Sequence, residues 1–248
     1  SLTITGDGML TGNDLVLEPG SSFLISSANL VNGTHLNNES IIVSNSNIVN
    51  IDGGRIGGYV PVYDDWSQLD ALGSTITGGT LEGYVSLSLS TIKDVTLTPN
   101  AGLDAYNNLG LAGRIDNQGG ASGGDGHFYS YDETQIVEDT LLTGAGVYNF
   151  DRDVNGNGSD ISPVRLTVDQ GATVNFAGTF GQGLVVENYG TLNLVPIDDI
   201  AGFDPAGDQN SGFVGLRNAG TITDNFGSLE FSDGIIDNTG GLIDGDYT

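Results

Sequence analysis

Apolar and polar residues alternate along this chain in short runs. Leu2-Thr-Ile4, Leu15-Val-Leu17, Phe23-Leu-Ile25, Ile41-Ile-Val43 and Ile48-Val-Asn-Ile51 fill the N-terminal part, followed by Thr75-Ile-Thr77, Val85-Ser-Leu-Ser-Leu89 and Val95-Thr-Leu97. Later come Leu166-Thr-Val168, Thr173-Val-Asn-Phe176, Leu184-Val-Val186, Leu192-Asn-Leu-Val195 and Leu229-Glu-Phe231. A period of two between Gly, Asn and Asp turns is the pattern of short half-buried strands. No long stretch carries the i, i+3, i+4, i+7 stripe of a helix, and the best helical candidate is a turn at Trp66–Leu72.

Two families of repeats organise these strands. Asn188-Tyr-Gly-Thr-Leu192, Asn218-Ala-Gly-Thr-Ile222, Asn225-Phe-Gly-Ser-Leu229 and Asn238-Thr-Gly-Gly-Leu242 each place an Asn two residues before a Gly, then an apolar residue. Asn and Gly tolerate positive φ, so Asn188, Gly190, Asn218, Gly220, Asn225, Gly227, Asn238 and Gly240 read as turns, each leading an apolar residue into a core. The copies from Asn218 to Asn238 come in quick succession, which places several of them at different corners of one coil. In the first half, Gly53-Gly-Arg-Ile-Gly-Gly-Tyr-Val60 is echoed by Gly78-Gly-Thr-Leu-Glu-Gly-Tyr-Val85, 25 residues on. Spacings of about 20 to 30 residues suit one coil of a stacked repeat, and Asn side chains at equivalent turns can bond along the stack.

The expected fold is all-β: a single right-handed parallel β-helix, or β-solenoid, of about 8–12 coils spanning 1–248 as one domain. Flanking loop insertions are expected near 61–71, 101–133, 150–162 and 196–212, where the rhythm breaks. The Asn-x-Gly-Thr-[Leu/Ile] turns resemble those of right-handed parallel β-helices in large secreted bacterial adhesins of the filamentous-haemagglutinin and autotransporter-passenger type. The resemblance covers most of the chain as a style of repeat. It implies a secreted scaffold, whereas the same scaffold carries adhesins, lyases and phage spikes.

Charge and composition narrow the partners. Six Lys and Arg face 32 Asp and Glu, a net charge of −26, which repels phosphate backbones and anionic lipid headgroups. Nucleic acid is therefore excluded as an expected partner. Membrane insertion is excluded too, since no apolar run nears the roughly 18 residues of a bilayer span. The absence of Cys removes disulfides, thiolate metal sites and a Cys nucleophile. Gly is 40 of 248 residues, well above the usual share of about 7%. Because 38% of residues remain hydrophobic, a core still forms.

The sharpest chemical motif is Asp151-Arg-Asp-Val-Asn-Gly-Asn-Gly-Ser-Asp160. Oxygen ligands at alternate positions with Gly at the sixth resemble the first half of an EF-hand-type calcium loop. Asp151, Asp153, Asn155, Asn157 and Asp160 are the expected ligands of one structural Ca²⁺, although Ser162 or Val164 stands where the acidic twelfth residue belongs. Tyr59, Tyr84, Phe128, Tyr129 and Tyr131 are candidate ligand-binding aromatics for a glycan or surface.

No catalytic residues are assigned. His35 and His127 lack a nucleophile-elbow context, the acid pairs are spread over loops, and the few bases are scattered. The chain is accordingly read as a non-enzymatic extracellular or cell-surface protein. The leading expectation is a structural or adhesive subunit that stacks head to tail with itself, or binds other surface components. Neither Ser1–Gly8 nor Gly241–Thr248 shows an amphipathic capping helix, which fits end-to-end stacking. A carbohydrate- or surface-binding module and a polysaccharide hydrolase or lyase are the alternatives.

Overall fold

The computed structural model describes residues 2–5, 9–12, 22–26, 29–32, 35–36, 40–44, 46–50, 55–56, 59–60, 65–66, 68–119, 127–159, 161–194, 202–203, 215–224, 230–231 and 235–244. These are all-β, with no helix among the described residues, and most of the strands join one parallel 25-stranded sheet. The Trp66–Leu72 turn expected to be the best helical stretch is extended instead, as Asp65–Trp66 and Gln68–Leu72.

The pairings resolve into three columns. The first runs through Leu2, Phe23, Ile41, Leu69, Val85, Leu103, Phe128, Tyr148, Val174, Leu192, Ile222 and Ile243, each residue in register with the next. A second column includes Ile48, Ile76, Ile92, Leu111 and Ile136. A third includes Ile56, Leu81, Leu97 and, further along, Ile115, Leu142, Val168 and Asn188. Buried residues from all three belong to one apolar cluster.

Long strands show how one pass of the chain supplies all three columns. Tyr84–Leu97 alternates buried and part-exposed residues, and the alternation resets at Leu89 and Asp94. Both have φ of 52°, and the ladder to the next strand shifts register at those two points. A single left-handed residue thus turns the strand and adds one outward position, so Ser90 and Val95 face inward again. The period-two reading that carried Leu89 into a strand therefore fails at its last residue: Leu89 is a corner and is exposed.

The loop expected over 101–133 is largely strand. Gly102–Asn117 pairs along the whole of Tyr84–Leu97, and His127–Ser130 adds the next rung of the first column. Its Gly and Asn residues looked like loop composition but act as corners and close contacts. Asn107, Asn108 and Gly113 have φ of 54°, 74° and 63°. A Cβ on Gly110 would come within 2.2 Å of Thr91 Oγ1. Likewise Gln68–Leu72 and Val154–Gly156 are strands inside the segments read as insertions 61–71 and 150–162. Most of 196–212 lies outside the described residues, apart from Gly202–Phe203, which pairs with Glu230–Phe231.

The repeats hold as register, with two amendments. Arg55-Ile56 lies opposite Thr80-Leu81, as the 25-residue echo requires. Tyr59–Val60, however, pairs antiparallel with Asp65–Trp66, whereas Tyr84–Val85 enters the first column. Asn188, Asn218 and Asn238 share one corner on successive rungs rather than different corners of one coil. Asn188 is in register with Asn218, and Asn218 Nδ2 donates to Asn238 Oδ1 at 2.7 Å. Asn225 and Gly227 lie outside the described residues.

Close packing, rather than left-handed backbone, explains Gly190 and Gly220, since a Cβ on Gly220 would sit 2.2 Å from Gly190 O. Gly240 alone of the three has positive φ, 86°. The last copy is one residue longer before its strand, so Ile243 takes the inward register position and Leu242 is 56% exposed, reversing the expected burial of Leu242.

Hydrogen-bonded ladders tie the rungs together. At the buried corner Asn188 Nδ2 donates to Asn218 Oδ1 at 2.8 Å, and Asn218 continues to Asn238. Asn188 Oδ1, facing the rung where Val168 stands, has no partner. A second, half-buried ladder lies on the outward side of the first column. There Asn193 donates to Asn175 and Asn175 to Asn149, both at 2.9 Å. A serine ladder occupies another corner: Ser46 N donates to Ser74 Oγ at 3.2 Å, and Ser74 N to Ser90 Oγ at 3.1 Å.

Asn218→Ala would strip the inner ladder of its middle member and leave buried amide groups unpaired. The expected loss is about 2–4 kcal/mol, read as a lower urea midpoint at unchanged slope. Asn193→Ala, at the end of the half-buried ladder, is expected to cost less than ~1 kcal/mol in the same assay.

Candidate functional site

The outward face of the first column gathers most of the predicted aromatics. Strand alternation points Tyr84, Asp104, His127 and Tyr129 away from the core, on three successive rungs. Tyr84 OH donates to Asp104 Oδ2 at 2.7 Å, and His127 Nε2 lies 3.2 Å from Asp104 Oδ1. Asp104 is only 8% exposed, so its charge is held by these neighbours rather than by water. Beside it Tyr106 stacks on Tyr131 with centroids 5.0 Å apart, and Tyr131 stacks on Tyr129 at 5.6 Å.

Phe128 is a correction. It sits between His127 and Tyr129, so the same alternation turns it inward, where it is fully buried against Tyr148 and Phe150. A ligand cannot reach it. Tyr59 is placed in its antiparallel pair with Trp66, and its side chain is outside the described set. Asp104 and Tyr106 were missed because their stretch read as loop. The alternation in Leu103-Asp-Ala-Tyr106 is the signal that could have found them. The serine corner was also legible, as Ser46-Asn-Ile, Ser74-Thr-Ile and Ser90-Thr-Ile.

The calcium motif runs extended through Val154–Gly156. Val154 and Gly156 are buried strand residues, so Asp153, Asn155 and Asn157 face outward along an extended segment. Alternate residues of a strand are about 6.5 Å apart, whereas Ca²⁺ needs oxygens within about 2.3–2.6 Å of one point. Two of these side chains have other partners. Asp153 Oδ1 accepts from Thr179 N and Oγ1 at 2.8 and 2.7 Å, and Asn155 Nδ2 donates to Glu133 Oε1 at 2.7 Å. Burial pushes the Asp151 carboxyl up, with Arg152 opposing. Asp160 lies outside the described residues. Among the described residues no group of three or more His, Cys, Asp or Glu is gathered as a metal would require.

Comparison of the chain with known families, characterised proteins and solved structures finds no match. The arrangement itself must therefore carry the functional reading. What it offers is a rigid polar and aromatic face, with a carboxylate already satisfied by a phenol and an imidazole.

Burial, with the Asp104 charge adding to it, pushes the Tyr131 phenol from 10.0 up to about 12. Burial and the Asp104 hydrogen bond raise Tyr84 as well. A phenol with a raised folded-state pKa contributes stability that is complete below pH 10 and lost as pH rises toward 12. Phenolate absorbance of wild type minus Tyr131→Phe should show one tyrosine titrating near 12. In Asp104→Asn that titration should move part of the way back toward 10.

Proposed function

We propose that the chain is a right-handed parallel β-helix serving as a non-enzymatic structural and adhesive unit of an extracellular or cell-surface assembly. The observation that carries this reading is the first column, whose twelve strands keep one continuous backbone register from Leu2 to Ile243. Three columns around one apolar cluster, with corners such as Leu89 and Asp94 between them, are what a solenoid coil requires. Right-handed winding follows the rule for connections between parallel strands. Eleven steps of about 4.8 Å make a rod roughly 50 Å long.

Such a rod has strand edges at its ends, and edges pair with further strands. Ile236 continues the inward position of Leu216 yet is 42% exposed, so another rung would cover it. The partner in this reading is a second copy stacked head to tail, or another component of the surface. The acidic balance of −26 keeps the sides of neighbouring rods apart and leaves the ends as the contact.

Negative-stain imaging and small-angle scattering at increasing concentration should show rods that lengthen in multiples of one subunit. Aligned fibres should diffract at about 4.8 Å along their axis. A particle that stays monomeric at high concentration sinks the head-to-tail assembly, and a compact globule sinks the rod.

A further inference from the structure

A groove of about 520 Å³ lies along the corner between the first and second columns, lined by Leu89, Asn107, Asn108, Asp132, Glu133 and the Arg152–Asp153 pair. These residues come from four successive rungs, so the groove follows the stacking direction for about 14 Å, three strand spacings. We propose that this corner groove is a binding site for a neutral oligosaccharide, which rests on the adhesive reading above and supplies its ligand.

The acceptors are set in place before any ligand arrives. Asp132 Oδ2 accepts from Asn107 N at 2.9 Å, Glu133 Oε1 from Asn155 Nδ2, and Asp153 Oδ1 from Thr179. Each carboxylate spends one oxygen on the scaffold and keeps the other as an acceptor for a hydroxyl. Fixing them in this way removes ordering cost from binding. Asn108 and Arg152 add donors. Tyr106 and Tyr131 directly precede Asn107 and Asp132 in the chain, and each is 38% exposed. Tyr131 is held between Tyr106 and Tyr129, so Tyr106, at the end of the three-ring stack, keeps one face clear of other rings beside the groove for the C–H face of a sugar.

Leu89 is the second indication. It holds a φ of 52° while 59% exposed, so neither packing nor backbone preference selects leucine there. The equivalent corner on the next rung carries Asn107 and Asn108, which tolerate that conformation. An apolar side chain kept strained and in solvent at a groove is explained by a ligand that covers it. Three carboxylates against one guanidinium disfavour uronate or sulfated sugars.

The test is calorimetry on the full chain with cello-, xylo-, manno- and laminarihexaose, and separately with hexagalacturonate, fully deacetylated chitohexaose and CaCl₂ alone. At least one neutral hexaose should bind saturably with one site per chain. Asn108→Ala and Tyr106→Ala should each weaken it about tenfold. Leu89→Asn, which relieves the corner, should keep or raise the melting temperature and still weaken binding several-fold.

Binding by none of the neutral sugars overturns the proposal. So does binding confined to the anionic sugar, the amine or calcium, or wild-type affinity in Leu89→Asn and Asn108→Ala. Sugar binding by a chain that never forms fibres keeps this site and removes the assembly reading. Fibres without sugar binding do the reverse.

Discussion

Parallel strands stacked along one direction must satisfy two demands on every pass. Each backbone must meet hydrogen-bond partners on the rungs beside it, and each inward side chain must land above another apolar one. Side-chain direction has a period of two, so a corner that adds the wrong number of residues would turn the next segment inside out. The single left-handed residues Leu89 and Asp94 meet both demands, restoring inward alternation at Ser90 and Val95. The core, the outward tyrosine face and the corner groove all follow from that correction.

Polar ladders add what apolar stacking lacks, which is position along the corner. Leucine above isoleucine is satisfied by many small displacements, but an amide that must reach the next amide at 2.7–2.8 Å is not. The inner ladder donates toward the C-terminal rungs and the outer one toward the N-terminal rungs. Each needs an end. At Asn188 that end is a buried carbonyl oxygen above Val168, a local cost that the rest of the corner carries.

Much of this was legible in the sequence, and the failures share a cause. Short strands, turn positions and the 25-residue echo were readable because alternation and Gly or Asn spacing are local signals. The stretch 101–133 misled because Gly110, Gly113 and Asn107–Asn108 have loop composition, although they serve close contact and corners within a strand. Phe128 was taken for a surface aromatic because its neighbours are, yet one step along a strand reverses direction. The Asp-x-Asp-x-Asn pattern at 151–155 looked like a calcium loop because alternate oxygens suit both a curled loop and an extended strand. Val154 and Gly156, both buried, show the extended form over those residues.

The corners also absorb length. Leu69 and Val85 are neighbours in register 16 residues apart, while Asn188 and Asn218 are neighbours 30 apart, and the first and third columns pass through both without a break. Inheritance can therefore act on this chain in two separate ways. Insertions at corners can vary in length wherever the chain re-enters its column with the inward alternation restored, giving relatives whose lengths differ while their rungs superpose. Inside a strand even one inserted codon reverses every side chain that follows, so such changes are purged unless a second restores the frame of burial. A lineage built this way diversifies at its bends and grows by copying whole rungs.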